Sequence, residues 1–326
     1  MTQFAMINTT SNTALQPDQL SLGLVAPLES YVTGPVPTMM CHFERVQMAE
    51  ALGFSAVWLC DMPFNVPLFG DAGQMFDHFT YLGVLASQTS RIAPGVASIT
   101  LPLRHPAHVT KAAASVEVLA GGCLLLGVAS GVRPEEYPAT NKSLGGCGDR
   151  FRDSFDYIRS MAPDYPAFKT AQGMSRGAMD IWQKSMGRKL PLSVTGGRRR
   201  RPDWAAHNSV GWITCPRNAN VKAKAIADFR ARVAVEGGSD KPVMQSLNVD
   251  LVREPDAAPR PIHLRFQSGV THLRRYLEVL QEAGVNHVSL NLQLNSCDTE
   301  TTMKRQAEKI LPARPIKRIR QCPKLF

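Results

Sequence analysis

From about Leu20 to Pro312 the chain alternates short apolar runs with longer amphipathic ones, and nothing else in it restricts the fold as strongly. Eight runs qualify as strands: Ser21–Pro27, Ala56–Asp61, Ile92–Leu101, Cys123–Ala129, Leu192–Gly196, Gly211–Cys215, Val243–Leu251 and His287–Leu292. Most are apolar throughout rather than at every second position, as suits a strand buried on both faces. Helical periods follow them. Phe151, Phe155, Ile158 and Ala162 fall on one side of one helix, and Leu273, Leu277 and Leu280 on one side of another. Gly53, Gly122 and Gly284 stand where helices would end before the next strand, at the left-handed position a helix C-terminus favours. Eight strand–helix units predict a (β/α)8 TIM barrel over residues 20–312. A doubly wound open sheet is the alternative, because counting strands does not establish closure.

The flanks differ from this body. Residues 1–19 are polar and aperiodic and read as a loose N-terminal arm; residues 313–326 form a basic C-terminal tail. The formal charge of +10 would suggest nucleic acid or an anionic surface if it were spread over the fold. It is not. Arg198, Arg199, Arg200 and Arg201 carry four charges, and Arg314, Lys317, Arg318, Arg320 and Lys324 carry five; without those nine the balance is +1. The tail reads as a solvated end, with no aromatic residue among its charges before Phe326 to stack on bases. With 44% hydrophobic and 20% charged residues, the chain can bury a core and is not of disordered type. Seven cysteines, odd in number and without a CxxC pair, disfavour a disulfide framework or zinc site and suit reduced thiols in a cytoplasm. The N-terminus has no signal pattern and no apolar run reaches membrane-spanning length, so neither a membrane nor nucleic acid is an expected partner.

The sharpest local feature is VTGGRRRRPDWAA, a strand running through Gly196 and Gly197 into four arginines and a helix start near Pro202. Glycines let backbone N–H groups approach an oxyanion, a helix N-terminus adds positive potential, and Arg198 or Arg200 can pair with phosphate in two-pronged fashion. An exposed turn with solvated arginines would look the same. The fourth strand ends in GVASG, placing the Ser130 hydroxyl and the Gly131 backbone at its mouth; Ala129 occupies the position a GxSxG nucleophile would need. No Walker loop, HExxH or GxGxxG occurs. His105 and His108 lack further metal-ligand partners nearby and read as part of a helix start. Asp61 ends the second strand, where polar groups point into a barrel mouth, as a catalytic carboxylate or as a strand-end cap. Two segments exceed an ordinary loop: residues 132–148, which leave a strand's C-terminal end, and residues 163–190.

In order, the blocks LSLGLVAP, AEALGFSAVWLCDMPF, QTSRIAPGVASITLPLRHPAHVTKAAASVEVLAGGCLLLGVASG and LPLSVTGGRRRRPDWAAHNSVGWIT resemble the luciferase-like flavin-dependent oxidoreductases. The resemblance implies a barrel binding FMN or a 5-deazaflavin at its C-terminal mouth, with reduced flavin meeting molecular oxygen or a small organic substrate. NAD(P)H or a partner flavin reductase would supply electrons, and a homodimer is in keeping with such relatives. It further implies a phosphate site at Ser130, Gly196, Gly197 and Arg198, and a non-prolyl cis peptide at Ala97–Ser98. The chain departs from the family in two places. Where many relatives carry a proton-relaying histidine after the second strand, it has Met62 and Pro63; where they have small polar residues, it has the arginine run. Asp61 is then the only local acid–base candidate. FMN is the expected cofactor, with a deazaflavin enzyme or a non-catalytic flavin-binding relative as alternatives.

Overall fold

The structure, a computed structural model, describes Phe4, Asn8 and residues 14–30, 36–66, 76–196, 202–216, 218–235, 237–262 and 265–313. Eight parallel strands close into a barrel: β1 (Ser21–Val25), β2 (Ala56–Leu59), β3 (Ala93–Thr100), β4 (Leu125–Ala129), β5 (Leu192–Thr195), β6 (Gly211–Thr214), β7 (Val243–Leu251) and β8 (His287–Asn291). Closure is explicit, since the strands run in the order β7-β8-β1-β2-β3-β4-β5-β6 and the two end strands also pair with each other, Trp212 of β6 opposite Val243 of β7. The open sheet is thereby excluded. A helix follows each strand: α1 (His42–Leu52), α2 (His78–Gln88), α3 (Pro106–Leu119), α4 (Cys147–Ser160), α5 (Pro202–Asn208), α6 (Ala219–Val235), α7 (Val270–Glu282) and α8 (Thr299–Lys309).

Alternate residues of each strand serve two cores. Leu22, Leu24, Val57, Leu59, Leu126, Val128, Leu247 and Val249 face outward into the large cluster shared with the helices. Val25, Ala56, Trp58, Ala93, Leu125, Ile213 and Met244 face inward and fill the barrel. Within it Trp58 Nε1 donates to His287 Nε2 at 2.8 Å, and His287 Nδ1 lies 2.7 Å from Ser21 Oγ. Complete burial pushes the His287 imidazole down to about 3, so it stays neutral. Both rings demand glycine beside them: a Cβ on Gly23 would lie 2.8 Å from His287, and one on Gly95 2.8 Å from Trp58.

Helix ends obey local chemistry. Asp77 caps α2 by accepting the Thr80 N–H at 3.0 Å, and Asp298 caps α8 by accepting that of Thr301 at 2.8 Å. His105 caps α3, accepting from Ala107 N, with Pro106 in the first helical position, in line with its reading as a helix start. Gly53, Gly122 and Gly284 all have positive φ.

Two expectations need correction, and one long segment gains structure of its own. The arm is not loose where it is described: Phe4, Asn8, Ala14 and Leu15 are buried, and Leu15 joins the inward cluster as a plug beneath the barrel. Isolated anchoring side chains leave no periodic trace in sequence. Segment 163–190 carries an antiparallel hairpin, Ala167–Thr170 with Gly173–Arg176, and Phe168 packs edge-on against Tyr157 of α4 at 5.0 Å. Cysteine spacing also misled in one place, because Cys123 is disulfide-bonded, whereas Cys41, Cys60, Cys147, Cys215 and Cys297 are free thiols. Among the described residues no helix is long and apolar enough to cross a membrane.

Candidate active site

At the C-terminal mouth three consecutive strands bring together most of the residues singled out from sequence. The Ala97–Ser98 peptide is cis, at the position expected, and the β3–β4 register shifts between Val96 and Ile99. Ser98 Oγ hydrogen-bonds Thr195 Oγ1, tying β3 to β5 across the end of β4. Ser130 directly follows β4; its carbonyl accepts the hydroxyl of Tyr137, a fully buried side chain in segment 132–148, which pins that segment to the strand. Its own hydroxyl has no hydrogen-bond partner among the described residues. Gly131 has φ +78°, and a Cβ there would meet Thr100 at 2.6 Å and the Tyr137 hydroxyl at 2.7 Å.

Gly196, at the end of β5, also has positive φ, +77°, but a Cβ there would meet none of the described residues within 4 Å. Its N–H is spent on Ile213 O at 2.9 Å and its carbonyl accepts Trp212 Nε1 at 3.1 Å. Gly196 therefore contributes an anchored turn with an open approach, not a free donor as the sequence suggested. Gly197, Arg198 and Arg200 lie outside the described residues.

Asp61 is buried and fully engaged. Oδ2 accepts from Thr100 N at 3.0 Å and Arg104 Nε at 3.2 Å; Oδ1 accepts from Arg104 Nη2 at 2.7 Å and lies 3.3 Å from His78 Nδ1. Burial lowers the His78 pKa against the opposing pull of Asp61, and its Nε2 is buried with no hydrogen-bond partner. The knot links the ends of β2 and β3 to the starts of α2 and α3. Sequence reading missed Arg104 and His78, which stand 43 and 17 residues from Asp61; RHP after the third strand was the available signal for the arginine.

Across the mouth, β7 presents Ser246 and Asn248 and β8 presents Asn291 on inward positions. These too were missed, although polar residues at every second position of MQSLNVD were the signal.

Residues 23–311 match the family model described as luciferase-like monooxygenase. An F420-dependent hydroxymycolic acid dehydrogenase of Mycobacterium tuberculosis is 25% identical over 280 residues, 84% of this chain and 74% of the relative. Among solved structures, an F420-dependent secondary alcohol dehydrogenase in complex with an F420–acetone adduct superposes with a TM-score of 0.75 at 18% identity, covering 91% of this chain and 99% of that one. The oxygenating constituent of 3,6-diketocamphane monooxygenase from Pseudomonas putida, in complex with FMN, gives 0.72 at 11% identity, with the same coverage of both chains, 91% and 99%.

Proposed function

Because the chain belongs to the luciferase-like monooxygenase family, we propose that it is an FMN-dependent oxidoreductase acting on a small organic substrate at the barrel mouth. FMN would supply the redox chemistry, passing electrons from a reductant to oxygen or to the substrate. The residues fit its phosphate: Gly196 leaves open space at the end of β5, and the Ser130 hydroxyl is free to donate to a phosphate oxygen. The Ser98–Thr195 bond ties the adjoining ends of β3 and β5 together. Asp61 acts as a positioning residue, holding β2 and β3 through Arg104, because none of its carboxylate positions is left for substrate.

One observation carries FMN over a deazaflavin. Among the described residues the end of β2 offers no free carboxylate or imidazole: Met62 does not titrate and Asp61 is locked. Hydride exchange coupled to proton transfer needs such a group, whereas oxygen chemistry can proceed with less. A deazaflavin is favoured instead by the mycobacterial relative named F420-dependent; on that reading the buried His78, 3.3 Å from Asp61, is a titratable side chain beside the end of β2. Equilibrium titration of the flavin-free protein with FMN and with F420, followed by reduction kinetics, decides between them. Tighter FMN binding is expected, weakened by about 1.5–3 kcal/mol in Arg198→Ala and unchanged in Arg314→Ala. F420 binding with turnover and negligible FMN binding would overturn the reading.

A further inference from the structure

The lumen above the barrel floor is open on one side. On β7 the outward residues Gln245, Leu247 and Val249 are buried against helices, and inward Met244 is 2% exposed, yet Ser246 between them is exposed and Asn248 half-exposed. A residue in mid-strand of a closed barrel, flanked by buried neighbours, can be exposed only to the lumen. Met244, Ile213, Trp58 and His287 close that lumen below.

Strand order fixes what faces what. In an eight-strand ring, β7 lies four places from β3 and β8 four places from β4. Ser246 and Asn248 thus look across at Ala97–Ser98, and Asn291 looks across at Ala129–Ser130. Among the described residues no Lys or Arg occupies an inward strand position. His287 lies beneath the lumen and is neutral. Asp250, the next inward residue of β7, has both oxygens occupied, one by Gln267 Nε2 at 2.6 Å and the other by Ser296 N and Oγ at 2.8 and 2.9 Å. Among the described residues, the inward strand positions offer a ligand carboxylate no cation and a ligand ammonium no free anion. The Ser246 hydroxyl and Asn248 amide, by contrast, make no hydrogen bond among the described residues and are free for a neutral partner.

We propose that the β7–β8 arc is the substrate-recognising wall, that it selects an uncharged organic compound bearing a carbonyl or hydroxyl group, and that Ser246 and Asn248 determine this specificity. The proposal rests on assigning the opposite β3–β5 arc to the flavin. A wall of neutral hydrogen-bonding groups discriminates by penalising ligands whose charge it would desolvate without a partner.

The test is calorimetric titration of the FMN-loaded protein with three probes of one ring skeleton: cyclohexanone, cyclohexanecarboxylate and cyclohexylamine. Cyclohexanone is expected to bind at least about tenfold more tightly than either ion. Ser246→Leu should weaken cyclohexanone by about tenfold or more. Asn248→Asp, nearly isosteric, should shift preference toward cyclohexylamine and keeps the test alive if the leucine variant fails to fold. Preference for the carboxylate, or probe affinities that neither variant alters, would overturn the proposal. The same titrations on flavin-free protein separate the two readings: a neutral preference without FMN binding sinks the flavin assignment alone, and FMN binding without neutral preference sinks the specificity assignment alone.

Discussion

Glu117 shows how far a single buried group can govern the response to pH. It sits at the foot of α3, wholly buried, accepting the Leu124 N–H at 2.9 Å and the Asn8 amide at 3.4 Å. Burial raises its pKa from 4.5 to about 7, against those two bonds. A carboxyl whose folded pKa is raised contributes stability that is fully present below about 4.5 and is lost as pH rises through 7. The buried histidines act in the other direction. Burial lowers His42 to about 4 and His287 to about 3, so stability falls as pH drops below about 6.5, where unfolded imidazoles take up protons that the native ones refuse. The two trends place maximum stability in mildly acidic to neutral solution. Glu117→Gln removes only the first. Relative to the parent, this variant should gain roughly 2–3 kcal/mol between pH 5 and pH 8, measured by urea unfolding at both. An equal difference at the two pH values would show that Glu117 does not titrate in this range.

Elements were far more legible than their ends. All eight barrel strands lie within the runs read from sequence, because a strand buried on both faces leaves an unbroken apolar signature, as in VWL of β2 or LLGV of β4. The mouth is harder, since its residues come from different strand ends and meet only on closure. Asp61 was visible; Arg104 and His78, which determine what Asp61 can do, were not. Ser246 and Asn248 were passed over because a polar residue within a strand run does not by itself say that it faces the lumen. Glycines at strand ends also look alike in sequence and differ in space. Gly131 and Gly196 share positive φ, so alanine at either costs about 1–2 kcal/mol of backbone strain. Among the described residues, the new methyl group would also collide at Gly131, with Thr100 and Tyr137, and meets none at Gly196. Gly131→Ala should therefore destabilise by about 1–3 kcal/mol more than Gly196→Ala in matched denaturant titrations. Equal losses would mean that segment 132–148 yields freely.

At the scale of the whole molecule, the barrel separates a structural end from a chemical one. Below, the arm contributes Leu15 to the floor and Asn8 to Glu117, while Asn286 Nδ2 donates to Gln16 O at 3.0 Å and Gln281 to Asp18 O at 2.9 Å. Above the Trp58–His287 layer the interior opens toward the mouth. The inward cluster runs from Leu15 through Trp58 to the partly buried Cys60 and Ala97, so Leu15 supports the site from the far end of that cluster. A truncated floor side chain should then cost stability without changing recognition. Leu15 is 3% exposed, and Leu15→Ala should lose about 2–5 kcal/mol, the range for a buried leucine whose cavity does not fully collapse. In the variant that remains folded, FMN affinity should stay within about twofold of the parent, because the phosphate and lumen walls lie on the far side of the Trp58 layer. Urea unfolding and FMN titration on the same preparation report both quantities. A stability loss below about 0.5 kcal/mol would show that the arm is not seated in the floor. A parallel collapse of FMN binding would show that floor and mouth act as one unit.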